Sequence, residues 1–228
     1  MPILILRRTL PSLLLLVLLS SVSAGAMQTP APEVVARVKN AVVLITTYDN
    51  HGKPEKQGSG FFLTPQRVVT NLHVVDSASR IRISTFTGRE VFVDSVLASD
   101  KADDLALLQL DTPCLDVTTL GLEDVEPLAG DSVMVVSNPL GAHWQVTVGE
   151  VGLMWYLGDI GERMGITACL LPGSSGGPVL NLQGRVIGVA TMYMLSDENL
   201  NFAVPAGRLK VLQTTVATST VGAFAHRK

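Results

Sequence analysis

Three residues, far apart in the chain, carry side chains suited to acyl transfer. Ser175 sits in Pro172-Gly173-Ser174-Ser175-Gly176-Gly177-Pro178, a glycine-rich turn that runs into the apolar stretch 179–181. Acyl transfer needs a hydroxyl held in an accessible turn, with backbone N–H groups directed at the place where an oxyanion develops. Gly173 can turn without a Cβ clash, so its N–H and that of Ser175 can converge, with Ser174 lining the same turn. Taken alone, the segment reads equally well as an ordinary Gly/Ser loop. His73 lies in Val69-Thr70-Asn71-Leu72-His73-Val74-Val75-Asp76, and none of the other three histidines has so apolar a setting. Such a histidine at a strand end is by itself more often structural, but a general base needs an imidazole within reach of the hydroxyl. Asp104 leads into Leu105-Ala106-Leu107-Leu108-Gln109-Leu110. A carboxylate there is costly to bury unless paired, and it could accept a hydrogen bond from His73 Nδ1–H. Asp100 and Asp103 compete for that role; Asp104 is preferred because it abuts the strand. The chain order His, Asp, Ser is that of the triad on a double β-barrel scaffold.

The elements that must position these groups are strands. Alternating or apolar runs cover 42–48, 59–63, 67–71, 80–86, 90–97 and 105–110, then 132–137, 144–151, 164–170, 178–181, 185–193 and 200–204. Alternation is strict in Arg80-Ile81-Arg82-Ile83-Ser84, as a half-solvated antiparallel strand requires. Gly, Pro, Asn and Asp punctuate the intervals. The expectation is an all-β protein of two six-stranded antiparallel barrels, with short helices near 33–40 and 205–214. His73 and Asp104 fall in the first set of strands and Ser175 in the second, which places the chemistry in a cleft between barrels. The stretch 111–130, with two prolines and five acids, reads as the linker. The domains expected are a signal peptide over 1–26, a first barrel over 27–115, a second over 116–215 and a flexible tail over 216–228.

Composition narrows the partners. The chain has 228 residues, 47 % hydrophobic and 16 % charged, with a net charge of −3, which excludes wholesale disorder and leaves no basic excess for nucleic acid. The mean hydropathy of +0.37 owes much to the start. Arg7 and Arg8 precede an apolar run ending in the small residues Ala24-Gly25-Ala26, the pattern of a secretory signal peptide. That run is shorter than the roughly 18–20 residues a membrane span needs. The expectation is an exported protein, periplasmic or secreted, with no stable membrane insertion after cleavage. Four scattered histidines and two cysteines offer no metal-ligand spacing, so neither a metal nor any other cofactor is expected.

As an ordered set, Gly58-Ser59-Gly60-Phe61-Phe62, Thr70-Asn71-Leu72-His73-Val74-Val75, Asp104-Leu105-Ala106-Leu107-Leu108, Ser137-Asn138-Pro139-Leu140-Gly141, Gly173-Ser174-Ser175-Gly176-Gly177-Pro178 and Asn201-Phe202-Ala203-Val204-Pro205 resemble the motifs of HtrA/DegP-type trypsin-like serine proteases. The resemblance spans roughly 33–212. It implies a chymotrypsin-like fold and endopeptidase activity on polypeptides, often unfolded ones in the cell envelope. His73 would be the general base, Asp104 its orienting acid and Ser175 the nucleophile, with an oxyanion hole at Gly173, Ser174 and Ser175.

The resemblance also has departures. Residues 215–228 are too few for the PDZ domains that commonly follow, so regulation through one is not expected, and oligomeric state is left open. Ser174 stands where the family usually has Asn. Cys169, where the family places the floor of the S1 pocket, is not acidic; with Leu170, Leu171, Ala190, Thr191 and Met192 it implies cleavage after small or medium aliphatic residues. Cys114 and Cys169 could pair across an oxidising compartment; two buried thiols are the alternative. The competing functional reading is an inactive or latent protease-like module that captures extended chains by β-augmentation.

Overall fold

The computed structural model describes residues 28–139, 143–192 and 201–214. The signal peptide and tail inferred from sequence lie outside the described residues.

Helix α1 (Pro32–Lys39) opens the described chain, with proline in its first turn. Strands β1 (Val42–Tyr48), β2 (Pro54–Thr64), β3 (Arg67–Asn71), β4 (Arg80–Thr85), β5 (Glu90–Asp100) and β6 (Leu105–Leu110) close a first barrel in the order β1-β2-β3-β6-β5-β4. Strands β7 (Ser132–Ser137), β8 (Gln145–Tyr156), β9 (Glu162–Ile166), β10 (Pro178–Leu180), β11 (Val186–Met192) and β12 (Asn201–Pro205) close a second, in the order β10-β11-β12-β9-β8-β7. Every pairing is antiparallel. A short helix α2 (Leu72–Val75) follows β3, and a helix over 206–214 follows β12. The two-barrel expectation is met.

The two-residue period explains why several strands read as unbroken apolar runs rather than alternating ones. Along β6, Ala106, Leu108 and Leu110 enter the first barrel's core, whereas Leu105 and Leu107 face a shared cluster at the seam between barrels. Phe62 and Phe61, and Val68 and Val69, divide the same way. In the second barrel Val133 and Val135 point inward while Met134 and Val136 point to the seam. Both faces of such a strand are buried, so both must be apolar. Val38 of α1 and Leu209 and Leu212 of the last helix complete the seam. β5 bends to close its barrel through two register shifts against β6.

Three boundaries differ from the sequence reading. β8 runs on to Tyr156 and β9 begins at Glu162, forming a hairpin with Leu153 and Tyr156 exposed; the short Gly158–Ile160 helical turn makes the reversal. The stretch 111–130 is a packed strap rather than a free linker. Cys114 and Leu120 are buried, Leu120 N–H bonds to Phe62 O (2.9 Å), and Leu122 bridges Val186 in parallel. His73 stands on α2, one turn beyond its strand.

Candidate active site

The β3–β6 ladder builds one half of the site. Asn71 pairs with Leu105, and the pairing carries on one step as Leu72 N–H bonds to Asp104 O (3.0 Å). The chain then turns into α2, which sets His73 over the carboxylate. His73 Nδ1 lies 2.6 Å from Asp104 Oδ2, and His73 N–H donates to Oδ1 (2.9 Å). Two contacts from one residue fix both the carboxylate plane and the imidazole tautomer, since Nδ1 must carry the proton to donate it. Asp104 adopts φ +54°, a conformation that costs an L-residue roughly 1–2 kcal/mol. It is held by the Leu72 bond, by Asn71 Nδ2 on the same carbonyl (2.9 Å) and by the two His73 contacts. Neither Asp100 nor Asp103 makes the contact to His73.

The other half is the turn before β10. Ser174 N–H bonds to Leu171 O (2.8 Å) and Gly177 N–H to Ser174 O (3.0 Å). The Ser174 hydroxyl is buried and receives Leu171 N–H (3.2 Å) and the Ser137 hydroxyl (3.1 Å). Ser174 therefore braces the turn it was expected to line, and its own N–H is committed to Leu171 O. Among the described residues the N–H groups of Gly173 and Ser175 donate to nothing.

Ser59 of the first barrel clamps this turn. Its N–H donates to Ser175 O (2.8 Å) and its hydroxyl to Gly173 O (2.8 Å). Asn138 N–H donates to the same hydroxyl (2.8 Å), and Asn138 Nδ2 reaches Val43 O (3.0 Å). Ser59 and Asn138 stood in the sequence only as motif members; their bracing role needed the fold. Between the two halves, no hydrogen bond joins Ser175 Oγ to the His73 ring, a common state of such sites before substrate arrives. A cavity of about 560 Å³ opens beside His73 and Asp104, with Leu72 and Ile160 on its apolar side and Lys101 and Asp159 at its rim.

A family model described as the trypsin-like peptidase domain matches residues 58–189, which holds His73, Asp104 and Ser175. The chain belongs to the trypsin-like peptidase family. This peptidase is 34 % identical over 174 residues to the putative serine protease HhoA of Synechocystis, covering 71 % of the chain and 43 % of HhoA. It is 34 % identical over 176 residues to the periplasmic serine endoprotease DegP of Salmonella typhimurium, covering 72 % of the chain and 37 % of DegP. The chain thus spans well under half the length of these relatives. Among solved structures, the Rv3671c protease of M. tuberculosis in its active form superposes with a TM-score of 0.71 at 25 % identity, covering 83 % of this chain and 88 % of that one.

The peptidase departs from the sequence reading at the expected S1 lining. Leu170 and Ala190 belong to the second barrel's core, so they do not face an open pocket. Thr191 is buried with its hydroxyl 3.5 Å from Asp104 Oδ2, the oxygen that also meets His73 Nδ1, and it lines the cavity beside His73. Cys169 and Leu171 are exposed, and Met192 has no described side chain. Exposure of Cys169 does not fit the floor of a closed slot. Both cysteines are free; Cys114 alone is buried, and burial pushes its thiol up from the usual value.

Beside Asp104, the neighbouring Asp103 is nearly buried. Burial pushes its carboxyl above the usual 3.8, with Asp100 and Glu162 adding to the rise while Arg208 and Arg163 oppose it. A folded-state value above the unfolded one contributes stability that is fully present below the unfolded value and is lost as pH rises through the folded one. Asp103→Asn removes that contribution. The wild type is therefore expected to lose stability relative to Asp103→Asn between about pH 3.5 and pH 7, read as urea midpoints at each end.

Proposed function

We propose that the chain is an exported serine endopeptidase that hydrolyses peptide bonds of polypeptides, unfolded ones in particular, through an acyl-enzyme on Ser175. The observation that carries the reading is the His73–Asp104 pair, joined by two hydrogen bonds, together with a Ser59-clamped turn in which the N–H groups of Gly173 and Ser175 have no partner among the described residues. In this reading His73 Nε2 takes the Ser175 proton as Oγ bonds to the scissile carbonyl carbon, and the carbonyl electrons move onto oxygen. The N–H groups of Gly173 and Ser175 meet that oxyanion. Asp104 keeps Nδ1 protonated and stabilises the imidazolium. The C–N bond breaks as His73 returns the proton to the departing amine. Water, deprotonated by His73, then cleaves the Ser175 ester and regenerates the hydroxyl.

Export is supported by the basic-then-apolar N-terminal sequence and by the naming of the DegP relative as periplasmic. A fluorophosphonate is expected to label the folded protein at Ser175 alone, located by peptide mapping, with cleavage of an unfolded test polypeptide blocked in parallel. A folded protein that never takes the label would instead point to a polypeptide-binding module.

A further inference from the structure

We infer that Arg163 is a positioning residue for Asp104: its guanidinium, buried in the second barrel, holds the 101–104 turn of the first barrel so that the Asp104 carboxylate meets His73. The inference rests on the proposed reading of His73, Asp104 and Ser175 as a triad.

Arg163 lies on β9 with its side chain wholly buried, the largest side chain so enclosed among the described residues. A buried guanidinium persists only where polar groups meet it, so its partners mark what it does. One nitrogen donates to its neighbour Glu162 O (2.8 Å). Another crosses to the first barrel and donates to Ala102 O (3.0 Å). The same guanidinium lies 3.7 Å from the Asp103 carboxylate, which Arg208 of the last helix also approaches at 3.7 Å. Ala102 and Asp103 immediately precede Asp104.

The turn requires such support from outside. Asp104 has its strained positive φ, and the bonds from Leu72 and Asn71 act only on its own carbonyl. On the N-terminal side the turn is met by a local bond, Asp100 Oδ1 accepting Asp103 N–H (2.9 Å), by half-exposed Arg208 on the Asp103 carboxylate, and by Arg163, whose bond to Ala102 O holds the backbone from the other barrel. The β8–β9 hairpin presses close by: a Cβ on Gly161 would stand 3.3 Å from Asp103 Oδ1. Asp159 and Ile160 of that hairpin line the cavity beside His73. Arg163 thus ties a cavity wall in one barrel to the acid-bearing turn in the other. The planar fork suits this task, because it can serve a carbonyl and a carboxylate at once.

The test uses the full chain as wild type, Arg163→Met, Arg163→Lys and Asp103→Asn, with rates divided by the fluorophosphonate-titrated site concentration. Arg163→Met is expected to lower kcat by about 10- to 100-fold with KM within about twofold, the effect of a misplaced catalytic group. The acid limb of its pH profile should differ from the wild type's, because the contact between Asp104 and the His73 ring is altered. The low-field proton resonance of His73 Nδ1–H should weaken or shift. Arg163→Lys should recover part of the rate and the resonance, and Asp103→Asn should show a smaller loss of both. A merely structural Arg163 would lower thermal stability and the active fraction but leave kcat per site, the acid limb and the resonance at wild-type values; that result overturns the inference. Should Arg163→Met not fold, wild-type values in both Arg163→Lys and Asp103→Asn overturn it equally. A wild type that neither labels nor cleaves removes the peptidase reading instead, and the resonance still reports whether Arg163 sets the His73–Asp104 contact.

Discussion

Replacement of Ser175 by Ala is expected to lower kcat by roughly 10⁵- to 10⁶-fold on any cleaved polypeptide, with thermal stability within about 2 °C of wild type. The size follows from what the hydroxyl is asked to do. Without Oγ no acyl-enzyme forms, and His73 has no proton to take, so the residues that act through Ser175 lose their effect together. The residual rate comes from substrate binding and the oxyanion donors alone, typically 10³- to 10⁴-fold over water. Stability is spared because Ser175 is fixed through its backbone, by Ser59 N–H on its carbonyl, while Oγ has no hydrogen bond among the described residues. The measurement is steady-state hydrolysis by wild type and variant beside binding of the same polypeptide. Lost hydrolysis with retained binding supports the endopeptidase. An unchanged rate would move the chemistry to another residue or to a contaminant, and unchanged binding by a wild type that never cleaves would support the capture module.

Much of this arrangement could be read before the fold was known. The period-two runs locate all twelve strands, because a strand buried on one or both faces must show that in its residue types. The His73, Asp104 and Ser175 segments were weak patterns one by one and became informative as an ordered set. What escaped depends on contacts between barrels. Arg163, just ahead of the 164–170 run, was not singled out from sequence; its burial and its bond to Ala102 O exist only in the folded chain. Ser59 looks like any small residue between glycines until its hydroxyl is found on Gly173 O. The residues expected to line S1 divide for a related reason. Position relative to Ser175 fixes which residues lie near it, but not which face of β11 they take, and Ala190 faces the core while Thr191 turns to Asp104. The acidic, proline-bearing stretch over 111–130 read only as a linker because its contacts with Val186 and Phe62 leave no pattern of their own in the sequence.

Gly176→Ala is expected to destabilise the protein by roughly 2–5 kcal/mol, a large part of the 5–15 kcal/mol typical of a domain. Two costs add. Gly176 has φ +87°, where an L-residue pays roughly 1–2 kcal/mol. The added Cβ would also stand 2.1 Å from Ser59 O and 2.3 Å from Thr70 Oγ1, inside contact distance of both. Those two atoms are joined by a buried hydrogen bond of 2.7 Å, so the methyl group would drive into that bond and force β2 away from the turn. Neither can swing clear. Ser59 O is backbone, and Ser59 N–H and its hydroxyl are both committed to the Ser175 turn. Widening the seam there would draw the Gly173–Ser175 segment off its first-barrel clamp, so the active fraction should fall further than stability alone predicts. Gly52→Ala separates the two costs: Gly52 has φ +76° but nothing within 4 Å of its Cβ position, so it should lose only the conformational part, about 1 kcal/mol. Urea denaturation of both variants, with fluorophosphonate titration of the folded protein, reads the difference. Equal losses in the two would mean that the seam yields to the methyl group, and that the close fit of Gly176 against Ser59 and Thr70 does not hold the nucleophile turn.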